Sequence, residues 1–170
     1  EFALTQPLRE IGFSDHLPMV RWAHPDYAMP FEKLPEYVQR VLTLRQTYPN
    51  LPIKLGIEAD YFTPTEEAAI RALLAQYPFD YVYGSAHFVE DWAIDDPNNK
   101  RHWERLGVNT VYELYFAQLQ KAARSGLFDI ITHPDLPKKF GYRPTKDLSA
   151  LIETTIRCIK DAGMAMEINT

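Results

Sequence analysis

One cysteine, Cys158, stands in a chain of 170 residues. A single thiol excludes an internal disulfide framework and any zinc site built from several cysteines, and it fits a reducing compartment, so the cytoplasm is the expected location. Positive charge is also scarce: 18 Lys plus Arg face 23 Asp plus Glu, for a formal charge of -5. A protein that grips a phosphate backbone needs a basic face, so nucleic acid is not an expected partner. No apolar run approaches the roughly 18 residues of a membrane span, and Glu1-Phe2-Ala3-Leu4 lacks the basic start and apolar core of a signal peptide. Neither a membrane nor an export route is expected. Missing as well are a Gly-x-Ser-x-Gly nucleophile elbow, a Gly-x-x-x-x-Gly-Lys phosphate loop and an initiator methionine. The chain also stops at Met166-Glu167-Ile168-Asn169-Thr170, inside what reads as a strand, so an excerpt of something longer is expected.

What is present is a 46% hydrophobic chain, enough for one sizeable core and too short for two ordinary domains, which makes 1–170 a single unit. Apolar runs of strand length recur at 10–13, 53–57, 81–84, 129–132 and 165–168, and helical spacing fills 33–47, 65–76, 110–125 and 146–161. Thr63-Pro64-Thr65-Glu66-Glu67 offers an N-cap, an early proline and acidic first-turn residues, and Ser125-Gly126 a helix stop. The 13 prolines are scattered through loops and mark no linker. Alternating strands and helices predict an α/β fold with a mostly parallel sheet, doubly wound or curled toward a (β/α) barrel. Tyr112, Tyr115, Phe116 and Leu119 recur at helical spacing as a core face. Cys158, between Ile156 and Ile159, is expected to be a buried, inert thiol.

The informative residues follow the strands: Ser14-Asp15-His16, Glu58-Ala59-Asp60, Ser85-Ala86-His87 and Thr132-His133-Pro134-Asp135. Parallel strands point the same way, so these carboxyl ends converge on one rim, where barrels and open α/β sheets place their active sites. Successive members lie about one βα repeat apart, roughly 30 residues or more. Three imidazoles and a carboxylate at one point are ligands suited to zinc, manganese or iron. Any one histidine alone is better read as a satisfied strand-end residue; the set is what points to a metal. His24 and His102, in Pro- and Trp-containing loops, read as surface or packing histidines.

Gly12-Phe13-Ser14-Asp15-His16, Gly56-Ile57-Glu58-Ala59-Asp60-Tyr61, the block 79–87, His133-Pro134-Asp135-Leu136-Pro137-Lys138-Lys139-Phe140-Gly141 and Glu167-Ile168-Asn169-Thr170 together resemble successive blocks of the PHP (polymerase and histidinol phosphatase) superfamily, most nearly its histidinol-phosphate phosphatases. The resemblance implies a distorted seven-stranded (β/α) barrel with up to three divalent ions at its carboxyl mouth. Carried over block by block, Glu58 would bridge the first and second ions, His87 and His133 would complete the second, and His16 would ligate the third. The family's opening His-x-His and closing Asp-x-His motifs are absent from this sequence. A full barrel typically takes about 250 residues. A partial barrel of about five parallel strands is therefore expected, with open edges that invite a homodimer.

The implied reaction is hydrolysis of a small phosphate monoester, L-histidinol phosphate, to L-histidinol in histidine biosynthesis. The nucleophile would be a hydroxide held between the ions, with no catalytic side chain assigned. Lys138, Lys139 and Arg143 are candidates for the anionic substrate, with a solvated loop as the even alternative. Asp60 and Asp135, two residues beyond proposed ligands, are candidates to orient an imidazole or face the substrate amine. Asn169 shares a face with Glu167 and lies nearer the mouth. Tyr61, Phe62, Phe88, Trp92 and Trp103 either pack over the substrate or, more commonly, anchor core and loops. Two other readings remain open: another metal-dependent barrel hydrolase, or a truncated, non-catalytic module that binds metal or a partner.

Overall fold

A computed structural model describes residues 2–21 and 27–168. The elements run β1 (Ile11–His16), α1 (Leu34–Thr47), β2 (Ile53–Asp60), α2 (Glu67–Leu74), β3 (Tyr81–Ser85), β4 (Phe88–Val89), β5 (Trp92–Ala93), α3 (Lys100–Leu106), α4 (Val108–Arg124), β6 (Ile130–Ile131), α5 (Ser149–Asp161) and β7 (Ala165–Met166). Five strands form one parallel sheet in the order β1-β2-β3-β6-β7, as the alternation predicts. β4 and β5 form a separate antiparallel hairpin. No helix among the described residues is long and apolar enough to cross a membrane.

Alternation along the strands divides the sheet into two unlike faces. On one, Leu55, Ile57, Ala59 and Ile131 are at most 1% exposed and pack with Val38 and Val41 of α1 and Tyr115, Phe116 and Leu119 of α4. Burying each large aliphatic side chain stabilises the fold by about 1.5–3 kcal/mol. The other face carries Gly12, Ser14 and His16, then Gly56, Glu58 and Asp60, then Tyr81, Tyr83 and Ser85, in register across β1 to β3. Its lower end is closed by Tyr81, whose ring lies over both glycines. A Cβ on Gly56 would stand 2.2 Å from that ring.

Several boundaries differ from the sequence expectation. α2 starts at Glu67 because Thr63 caps a preceding turn instead, its hydroxyl accepting the Thr65 N–H at 3.2 Å and pairing with Glu66. α5 starts at Ser149, three residues late, where Asp147 accepts the Ser149 N–H at 2.9 Å in a local turn. The stop at Ser125-Gly126 is as expected, with Gly126 at φ +63°. α3 and the β4–β5 hairpin are additions; Asp96 opens the turn into α3 by accepting the Asn98 N–H at 2.8 Å. Cys158 is half-buried rather than buried, with Arg124 Nη2 at 2.8 Å from its sulfur.

Candidate metal centre

The register sets the site. His16 and Glu58 are paired neighbours across β1 and β2, one strand end beside the other. Asp60 pairs with Ser85 at the end of β3, and His87 follows two residues later. His133 follows β6. Around Glu58 Oε1 stand His16 Nδ1 at 3.9 Å, His87 Nε2 at 3.8 Å and His133 Nε2 at 3.6 Å. The imidazoles are in mutual contact, with ring centroids 5.3 Å apart for His16 and His87 and 4.9 Å for His87 and His133. All four sequence-predicted ligands are therefore together.

Glu58 Oε1 and the Nδ1 atoms of His16 and His133 are buried without a hydrogen-bond partner. Buried polar atoms are normally satisfied, so such a group of orphans calls for a missing partner. The nitrogens lie too far from Glu58 Oε1 for hydrogen bonds, yet a nitrogen–oxygen donor set at this spacing matches what a divalent ion gathers around itself. Two overlapping groups have ligand atoms within 4.8 Å of one another: Glu58, His87 and His133, and His16, Asp60 and His87. His87 separates their roles. Its Nδ1 is 2.7 Å from Asp60 Oδ1, which also accepts from the His87 N–H at 3.3 Å and from Ser85 Oγ at 3.2 Å. That contact holds the His87 ring by Nδ1 and leaves Nε2 facing Glu58.

Electrostatics agree with that division. Burial alone would push Glu58 up and His87 down, but each is outweighed by its partner charges. The imidazoles hold Glu58 below the usual carboxylate range, and Asp60 raises His87 to about 9. Asp60, although buried, is likewise held low by His87. A bound cation would displace the proton from His87 and take over its pairing with Glu58.

The remaining predicted residues lie elsewhere. Lys138 pairs with Asp135, and both are exposed, so Asp135 orients no imidazole among the described residues. Lys139 Nζ reaches Asp95 Oδ2 at 3.1 Å, and Arg143 donates to the carbonyls of Lys138 and Tyr142 at 3.0 and 2.9 Å. Asn169 and His24 fall outside the described residues. His102 stacks on Trp92, a packing histidine as expected. Tyr61, Phe62, Phe88, Trp92 and Trp103 are all at most 5% exposed, in keeping with anchoring roles. Sequence reasoning missed Asp95, whose Oδ1 is also buried and unpartnered, and it assigned nothing to Tyr115 beyond the core.

Comparison with known proteins follows the same lines. A Deinococcus radiodurans protein named "Probable histidinol-phosphatase" is 37% identical over 169 residues, 99% of this chain and 64% of that protein. A Schizosaccharomyces pombe protein of the same name is 26% identical over 188 residues, 99% of this chain and 61% of its own. The chain spans a little under two thirds of the length of these relatives. Among solved structures, one from Listeria monocytogenes, provisionally titled a histidinol phosphatase, superposes with a TM-score of 0.85 at 21% identity, over 99% of this chain and 73% of that one. The histidinol phosphate phosphatase of Lactococcus lactis, solved with zinc, L-histidinol and phosphate, gives 0.78 at 22% identity, over 98% and 64%. These likenesses establish the fold as part of a PHP-type barrel. The sequence pattern of the PHP domain matches residues 1–170 from end to end, and the chain belongs to the PHP domain family.

Proposed function

We propose that this chain carries the metal-binding half of a phosphomonoesterase site whose substrate is L-histidinol phosphate. The observation that carries the reading is the orphaned Glu58 oxygen amid three imidazoles at one end of a parallel sheet. The two histidinol-phosphatase relatives and the zinc, L-histidinol and phosphate of the Lactococcus lactis structure support the substrate. Glu58, His87 through Nε2 and His133 through Nε2 would hold one ion, and His16 would serve a neighbouring one; the donor set suits zinc. A divalent ion bound there supplies Lewis acidity toward the phosphate oxygens and the departing alkoxide.

The chain's own groups prepare that chemistry. Glu58 stays ionised at neutral pH and brings negative charge to the rim. Asp60 fixes the His87 ring through Nδ1, so Nε2 is aimed without rearrangement. Lys138, Lys139 and Arg143, on the loop that follows His133, would meet an anionic substrate only by exchanging their present partners, Asp135, Asp95 and two backbone carbonyls.

Metal content of the purified chain by mass spectrometry, beside a Glu58→Ala, His87→Ala, His133→Ala triple variant, tests the site; phosphate release from L-histidinol phosphate and from a second phosphomonoester tests the reaction. Stoichiometric zinc lost in the variant, with release favouring histidinol phosphate, is the expected result. Absence of metal in a folded parent would overturn the site. Release from the second ester alone would overturn the substrate, and zinc binding without release from either would leave a binding module only.

A further inference from the structure

We infer that Glu167 and Tyr115 are positioning residues that hold His133 in a strained backbone conformation and thereby aim its ring at the metal centre; this rests on the metal reading above. Ile131 pairs with Gly84 and is fully buried on the aliphatic face, so strand alternation would send His133 to that same face. It does not go there. His133 adopts φ +20°, a value that residues other than glycine rarely take, and the chain turns so that Nε2 lies 3.6 Å from Glu58. Strain of this kind persists only where the surroundings over-determine it.

Two side chains from distant elements supply that determination. The His133 N–H donates to Glu167 Oε2 at 2.9 Å, from the residue that follows β7. The His133 carbonyl accepts from the Tyr115 hydroxyl of α4 at 3.1 Å and from the Leu136 N–H at 3.0 Å. Both backbone groups of the turned residue are thus held by side chains, one on each flank. Burial keeps the Tyr115 phenol far above its ordinary range, so it remains a donor throughout the working pH range. Glu167 is itself fixed in register, its N–H donating to the Ile131 carbonyl at 2.9 Å. The clamp therefore ties one metal ligand to the last strand of the sheet and to the longest helix.

Zinc affinity, measured by chelator competition on the whole chain, separates positioning from mere support, with hydrogen exchange of the His133 amide in the metal-free protein as a second readout. Glu167→Ala and Tyr115→Phe should each weaken zinc binding about tenfold, the scale for groups that orient a ligand. Glu167→Gln keeps an acceptor for the His133 N–H and should restore affinity to within about twofold of the parent. Tyr112→Phe is the control, removing a hydroxyl on the same helix that donates to the Tyr142 carbonyl at 2.8 Å, away from the four ligands, and should leave affinity unchanged. Glu167→Ala should also speed exchange at the His133 amide. Parent binding that Glu167→Ala leaves unchanged would overturn the inference alone, as would an equal loss in Glu167→Gln or Tyr112→Phe. A parent that binds no zinc would overturn the metal reading and the inference with it. Should Tyr115→Phe fail to fold, the Ala and Gln variants of Glu167, just past β7, decide the matter.

Discussion

The two faces of the sheet are made by the same strands from alternate residues, yet they are built for opposite ends. One is aliphatic and closed: Leu55 and Ile57 have no exposure and touch helices. The other holds glycine, tyrosine, histidine and carboxylates, and leaves polar atoms without partners. Stability is concentrated on the first face and chemistry on the second, and a parallel sheet allows both because its two side-chain rows are independent.

The sharpest way to separate the faces is Leu55→Ala. Removing three carbons from a fully buried site should cost about 3 kcal/mol in urea denaturation while zinc affinity of the folded protein is unchanged. A parallel loss of affinity would mean that the faces are coupled. A comparable effect comes from pH. The folded-state value of His87 is raised to about 9 from an ordinary 6.5, so its stabilising contribution is fully present below about 6.5 and is lost as pH rises through 9. Metal-free protein should therefore lose about 3 kcal/mol between pH 6.5 and 10, and His87→Asn should not show that loss. Zinc-loaded protein should lack it too, because the ion has already displaced the proton. The smallest expected effect is Gly56→Ala at the Tyr81-covered end of the polar face, about 1.5 kcal/mol as the ring is pushed aside, with affinity intact. Weaker zinc binding in that variant would show that the covered end and the ligand end of this face move together.

Much of this was legible in the sequence because hydrophobic period and strand-end polarity are local signals. His16, Glu58, His87 and His133 each sit where a strand reading ends, and five strands with helices between them leave few arrangements other than a parallel sheet. Other features are invisible at that level. The two-residue strands of the hairpin are too short to show alternation, and Lys139 carries no mark of its pairing with Asp95, 44 residues away. The positive φ of His133 is hidden as well, since parity argues for the wrong face and the correction comes from backbone hydrogen bonds to Tyr115 and Glu167. Tyr115 was readable as core and not as a donor, because apolar burial and a hydroxyl aimed at a carbonyl use the same residue.

The candidate ligands come from four strand ends spread between residues 16 and 133, and no two neighbours in sequence supply more than one each. No early, local segment of a folding chain can assemble them, because the first and last must meet across loops whose closure is entropically slow. Zinc uptake after dilution from denaturant would consequently report the final docking of strands, not hairpin or helix formation, and it would slow unfolding of the sheet as a whole.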